Sequence, residues 1–139
     1  MPKVLISDQM SPLAAATFRA RGVEADERPG LSPEQLAEIL PGYDGLAIRS
    51  ATKVTAKLLA AAPNLKVIGR AGIGVDNVDI PAASARGVVV MNTPFGNSIT
   101  TAEHAIALMF ALARDLPEAD RSTQAGKWEK NRFMGVELF

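Results

Sequence analysis

The sequence predicts an α/β protein whose core is a five-stranded parallel sheet covered by helices. Three observations carry this reading. Short apolar runs without polar alternation recur from the start of the chain, and a helical pattern follows each one. A strand buried on both faces has no solvent side to alternate with, so such runs mark parallel βα units. Pro, Gly and small polar residues stand where those helices must begin and end.

Val4-Leu5-Ile6 is the first strand, ended by polar Ser7-Asp8-Gln9. Ser11-Pro12 opens a helix through Arg21, with Pro in the first turn and Gly22 as the stop. Val23 to Glu27 is a weaker strand. Ser32-Pro33-Glu34-Gln35 starts the second helix, with Ser32 as cap and Gln35 as its reciprocal partner, and Leu40-Pro41-Gly42 ends it. Gly45-Leu46-Ala47-Ile48 is the third strand, followed by a short helix from Thr55 to Ala62 that Pro63 terminates. Leu65 to Gly69 is the fourth strand, Asp79 caps a short helix reaching Arg86-Gly87, and Val88 to Met91 is the fifth strand. Five such units within about 90 residues make a flavodoxin-like layer sandwich, in which ligands bind beyond the carboxyl ends of the strands. The chemistry is therefore sought just after each strand.

The pattern then changes. Thr100-Thr101-Ala102-Glu103 has the form of a capping box, and its helix extends to about Arg114. Residues Ala105 to Ala113 are apolar on every side, and a helix of that kind is expected to be buried all round. A five-stranded layer covers only one face of it, so the remaining faces call for a further domain or a partner subunit. Asp115-Leu116-Pro117-Glu118 starts another helix, with Asp115 as cap, ending near Gly126. Lys127 to Phe139 shows no clear element, and Trp128 there is taken as a packing anchor.

Composition narrows the function. Fifteen Lys plus Arg balance fifteen Asp plus Glu, which speaks against a nucleic-acid surface or a polybasic membrane anchor. With no cysteine and one histidine, neither a disulfide framework nor a metal site is expected. Met1 leads directly into a polar-flanked strand without an apolar leader, and the longest apolar stretch, Ala105 to Ala113, is about half a membrane span. A soluble, cytoplasmic protein is the expectation.

Gly72-Ile73-Gly74-Val75-Asp76-Asn77 follows the fourth strand but is not a dinucleotide fingerprint, because Asn77 stands in place of the third glycine. It reads either as an anion loop, with backbone N–H groups turned toward a carboxylate, or as a plain strand-to-helix turn. Arg49 and Arg70 end adjacent units at corresponding places. They are either a pair that grips a phosphate or carboxylate, or two solvated surface arginines. Asn92 to Ser98 lines the same cleft, aims the apolar helix, or does both. His104, next to Glu103 near the start of its helix, reads as structural rather than as a general base.

These stretches carry a resemblance. Ile48-Arg49-Ser50-Ala51-Thr52-Lys53-Val54-Thr55, Val67 through Asp79, Met91-Asn92-Thr93-Pro94 with Asn97-Ser98, and Ala102-Glu103-His104 resemble the D-isomer-specific 2-hydroxyacid dehydrogenases. Gly126-Lys127-Trp128-Glu129 and Phe133 to Leu138 reinforce the likeness, which covers nearly the whole chain in order. The branch it most resembles oxidises 3-phosphoglycerate with NAD, the first step of serine synthesis. The resemblance implies a two-domain enzyme acting on a phosphorylated hydroxy acid, and the apolar surface of the Thr100 to Arg114 helix adds the expectation of a homo-oligomer, most simply a dimer. Residues 1–98 would be the N-terminal part of the substrate-binding domain, and 99–139 a helical segment leading toward a nucleotide-binding domain that this sequence lacks. It implies substrate contacts at Arg49, Arg70 and the Gly72-Ile73-Gly74 backbone, with Ile73 also near the nicotinamide end of the cofactor. Many relatives carry Thr or Ser at that place. The family's catalytic Arg, Glu and His lie beyond the matching stretch, so no catalytic residue is assigned here and His104 does not correspond to one. The chain alone is accordingly expected to be inactive and to bind no NAD. A glyoxylate or hydroxypyruvate reductase is the nearer alternative. A free-standing flavodoxin-like binding or signalling module, such as a phosphate receiver, is the distant one: Asp8 follows the first strand, but Arg49 stands where a receiver's acidic phosphoacceptor belongs.

Overall fold

In a computed structural model, which describes residues 1–139, the predicted βα alternation is present. The elements are β1 (Lys3–Ile6), α1 (Leu13–Ala20), β2 (Glu24–Glu27), α2 (Pro33–Ile39), β3 (Gly45–Ile48), α3 (Ala56–Ala61), β4 (Val67–Arg70), α4 (Ile80–Ala85), β5 (Val89–Met91), α5 (Ser98–Ala113) and α6 (Leu116–Gln124). Single 3₁₀ turns occur at Leu40–Gly42 and Lys130–Arg132. The chain divides into two compact units, Met1–Gly96 and Asn97–Phe139.

The first unit holds one parallel sheet in the order β2-β1-β3-β4-β5. This is the flavodoxin-like order, and its direction reverses between β1 and β3. Alternate residues sort the two faces. Leu5, Leu46, Ile48 and Ile68 join Leu36, Leu58 and Leu59 in the larger core. Val4, Ile6 and Ala47 pack with Ala15 and Ala25 in a smaller one. Complete burial of a Leu or Ile side chain contributes about 1.5–3 kcal/mol, so the larger core dominates the stability of this unit.

The local signals mostly act as read. Ser32 and Gln35 form the reciprocal capping box at α2, Thr55 accepts from the Leu58 N–H, and Asp79 accepts from the Ala82 N–H. Not every strand is uniformly apolar, however. β2 is Glu-Ala-Asp-Glu with only Ala25 buried, which an edge strand tolerates because one side faces water. Lys3 bridges Glu24 and Asp26 across β1 and β2, at 3.1 and 3.0 Å. Asp26 also accepts from the Tyr43 hydroxyl at 2.8 Å.

The second unit corrects several expectations. α5 starts at Ser98, and the Thr101 N–H already bonds to the Asn97 carbonyl at 2.9 Å. Thr100 and Glu103 therefore lie inside the helix and form no capping box, which needs an extended residue at the cap. None of the α5 residues is buried within this chain: Leu112 is 82% exposed and Ile106 52%. The other segments of the unit are short and polar α6 and the C-terminal stretch, too little surface to enclose an apolar helix. Asp115 precedes α6 but does not cap it through its side chain. Its backbone is left-handed at φ 51°, and it contributes its carbonyl, which accepts from the Ala119 N–H at 3.0 Å. Trp128 is 85% exposed and anchors no packing within the chain. No helix is long and apolar enough to cross a membrane.

Candidate functional site

Because every strand of the sheet is parallel, the loops leaving β1, β3, β4 and β5 gather on one edge. β3 lies between β1 and β4, so the loop after β3 meets both neighbouring loops. That loop begins with Arg49.

Its start is the turn Arg49–Thr52, and hydrogen bonds hold both ends. Asp8, two residues beyond β1 and only 5% exposed, accepts from the Arg49 N–H at 2.6 Å and the Thr52 N–H at 3.2 Å. It also accepts from the Thr52 hydroxyl at 2.5 Å. A carboxylate offers acceptors alone, so the Thr52 proton points to Asp8, and the Ser7 hydroxyl donates to Thr52 Oγ1 at 2.9 Å. The carbonyls of the same two residues face Asn77, whose side-chain amide donates to Arg49 O at 2.8 Å and Thr52 O at 2.6 Å. Exposed Ser50 and Ala51 form the outer part of the turn.

Arg70 is the last residue of β4, in register with Ile48. Its side chain is 11% exposed. Nε donates to the Arg49 carbonyl at 3.2 Å, and Nη1 reaches Asp76, itself 85% exposed, at 3.2 Å. The guanidinium lies over the loop that follows: a Cβ on Gly74 would come within 2.9 Å of Arg70 Nη1 and of Asp76 Oδ1. Glycine at this position thus serves close approach rather than an unusual φ. The Gly72 N–H turns back to the Arg70 carbonyl at 2.9 Å, and the Ile73 and Gly74 N–H groups have no partner within the chain. The loop after β5 supports this one: Asn92 Nδ2 donates to Ile73 O at 2.7 Å and the Thr93 N–H to Gly72 O at 3.0 Å.

The two arginines differ in character. Arg49 is exposed and makes one long side-chain bond, from Nη1 to the Gln9 carbonyl at 3.3 Å. Arg70 is built into the scaffold. Two guanidinium groups on neighbouring strand ends, beside uncommitted N–H groups, suit an anion with more than one acceptor oxygen. A recess of about 500 Å³ opens beside Arg70, between α1 and β3 to β5, but Met10, Phe18 and Met91 make its lining mainly apolar. The anion chemistry belongs to the loops. No group of His, Cys, Asp and Glu is placed to hold a metal ion. His104 lies on α5 in the second unit, where it is exposed.

Sequence reasoning brings forward Arg49, Arg70 and the glycine loop but passes over the roles of Asp8 and Asn77. Asp8 enters it only as a feature of a phosphate receiver, and Asn77 only as the residue replacing a glycine. The missing signal is the strand order, because β1 beside β3 is what sets Asp8 against Arg49.

Residues 4–133 match the family described as D-isomer specific 2-hydroxyacid dehydrogenase, catalytic domain. The chain is 54% identical over 136 residues to a D-3-phosphoglycerate dehydrogenase of Archaeoglobus fulgidus, covering 98% of this chain and 26% of that protein. A crystal structure of a Thermus thermophilus protein superposes with a TM-score of 0.82 at 30% identity, over 98% of this chain and 45% of that one. The NAD⁺-bound 3-phosphoglycerate dehydrogenase of Entamoeba histolytica gives a TM-score of 0.70 at 30% identity, over 81% of this chain and 39% of that one. The chain thus spans about a quarter of the length of the curated relatives it matches.

Proposed function

The chain belongs to the D-isomer specific 2-hydroxyacid dehydrogenase family, and we propose that it is the substrate-holding part of a D-3-phosphoglycerate dehydrogenase. In this reading the whole enzyme oxidises the 2-hydroxyl of 3-phosphoglycerate with NAD. The observation that carries it is the pairing of Arg49 and Arg70 at adjacent strand ends, next to the Ile73 and Gly74 N–H groups. Arg49 reaches the anionic end of the acid, Arg70 steers from the scaffold, and the glycine loop takes the carboxylate. The names of the similar dehydrogenases point the same way. The phosphate-receiver alternative fits poorly, because Asp8 is engaged by the Arg49–Thr52 turn and no acidic cluster is placed for a cation.

The residues present do not make a site for the cofactor's pyrophosphate. Asn77 occupies the place of the third glycine with its side chain committed to two carbonyls, and α4 begins only at Ile80. A pyrophosphate site needs a glycine turn running directly into a helix N-terminus. No step of hydride transfer is therefore assigned to this chain. Its contribution is to bind and orient the acid, with Ile73, 39% exposed, as the proposed neighbour of the nicotinamide end.

Titration of the ¹⁵N-labelled chain with 3-phosphoglycerate, D-glycerate and inorganic phosphate tests this. The phosphorylated acid should shift the amide signals of Arg49 to Ala51, Arg70 and Gly72 to Gly74, and should bind more tightly than D-glycerate. Equal affinity for the two acids would favour a dehydrogenase of unphosphorylated hydroxy acids. Shifts confined to other residues would remove the site.

A further inference from the structure

The substrate-facing turn is fixed through its backbone by two side chains of opposite hydrogen-bonding character. All three bonds accepted by Asp8 come from Arg49 and Thr52, and both bonds donated by Asn77 go to the same two residues. Asp8 takes the N–H groups and Asn77 takes the carbonyls. We propose that Asp8 and Asn77 are positioning residues that together set the aim of Arg49 toward the anionic substrate. The proposal rests on the reading of Arg49 as a substrate ligand.

The geometry explains why such a device is needed. Arg49 has a long, exposed side chain whose only internal bond is 3.3 Å long. Little in its own contacts decides where the guanidinium points, so the orientation of its backbone decides. The N–H is held at 2.6 Å by Asp8 and the carbonyl at 2.8 Å by Asn77, with Arg70 Nε adding a bond at 3.2 Å. Both faces of the Arg49 backbone are thereby pinned. The clamp also joins the two halves of the site. Asn77 follows the glycine loop directly, and Val54 N–H bonds to its carbonyl at 2.8 Å, so the turn and the loop keep one spacing.

A role in stability alone accounts less well for Asp8. A buried charge is a poor device for fold stability, since apolar residues of similar volume often serve as well or better. Here the carboxylate is 5% exposed and every one of its bonds serves the turn that presents Arg49. The chemistry is also directional. Both N–H groups use the same Asp8 oxygen, so Asp8→Asn can keep them by turning only the Thr52 hydroxyl, whereas Asp8→Leu keeps the shape and removes every acceptor. Asn77→Asp would set a carboxylate against two carbonyls.

The test is a double-mutant cycle read by titrating 3-phosphoglycerate into the ¹⁵N-labelled chain. Asp8→Leu and Asn77→Ala should each weaken binding roughly tenfold, as expected for losing well-placed buried hydrogen bonds. In an Arg49→Ala background the same changes should add less than about twofold, because no guanidinium is left to aim. Thr52→Val, which removes the hydroxyl's bonds to Asp8 and Ser7 but leaves both backbone bonds, should weaken binding about threefold and repeats the cycle if Asp8→Leu fails to fold. A residue that merely braces the fold would carry its full loss into the Arg49→Ala background, and that result overturns the clamp. Unimpaired binding by folded Asp8→Leu and Asn77→Ala, with wild type binding, also overturns the clamp alone. Wild type failing to bind removes the substrate reading and the clamp together.

Discussion

Replacing Arg70 by Lys should lower both the stability of the chain and its affinity for 3-phosphoglycerate, whereas Arg49→Lys should lower the affinity alone. The difference follows from what each guanidinium already holds. Arg70 is 11% exposed and donates Nε–H to the Arg49 carbonyl while Nη1 meets Asp76. A lysine ammonium cannot serve both, and it has no donor part-way along its stem. A hydrogen bond from a charged donor is worth about 1.5–3 kcal/mol. Asn77 still serves the same carbonyl, which keeps the expected loss near 1.5 kcal/mol. The Asp76 contact adds little, because that side chain is 85% exposed. Arg49 offers only its exposed bond to the Gln9 carbonyl, so its replacement should change stability by less than about 0.5 kcal/mol. Against the ligand, Arg49→Lys loses a forked contact worth about 1.5–3 kcal/mol, or roughly 10- to 150-fold in binding, and Arg70→Lys loses the hold on the Arg49 carbonyl that helps to aim it. The loss should be larger for 3-phosphoglycerate than for D-glycerate. Urea unfolding followed by circular dichroism gives the first quantity and amide titration with both acids gives the second. Equal loss of stability in both variants, or equal loss of affinity for both acids, would refute the division of labour.

Three further outcomes follow from other parts of the chain. The Tyr43 hydroxyl first, and then Lys3, holds the Asp26 carboxyl below its usual range, so its share of stability is present above the unfolded carboxylate range and lost as pH falls through the lowered value. An acid titration of unfolding should therefore be shallower in Asp26→Asn than in wild type. Gly135 has φ +60°, and an added Cβ would meet the Ala113 carbonyl oxygen and Arg114 Cα, so Gly135→Ala should break the 2.8 Å bond from Val136 N–H to Ala113. A loss of at least about 1–2 kcal/mol in the second unit, seen as faster amide exchange at Val136, is expected. The apolar residues that α5 leaves exposed should drive self-association, so light scattering should give a mass above the 14.7 kDa monomer at raised concentration.

What the sequence discloses and what it withholds divide along a physical line. β3 is legible because Gly-Leu-Ala-Ile is buried on both faces, and α2 because Ser32 and Gln35 answer each other within one turn. Those forces act over a few residues. The same local pattern at Thr100 and Glu103 misleads, because the helix has already begun at Ser98 and a cap works only where the backbone is still extended. The burial expected of α5 fails for a related reason: its apolarity reports what the helix requires, and the short, polar remainder of its own unit does not meet the requirement. In the site, Arg49 and Arg70 can be found by counting, since each stands at the end of an apolar run. Asp8 cannot, because 41 residues separate it from Arg49 and only the reversal of strand order between β1 and β3 brings them together. Asn77 is hidden differently. As a replacement for glycine it looks like a defect in a motif, yet its two amide hydrogens fall on the carbonyls of Arg49 and Thr52. A glycine there would leave those carbonyls one partner fewer at the sheet edge, so the departure from the fingerprint is itself a condition for holding the turn.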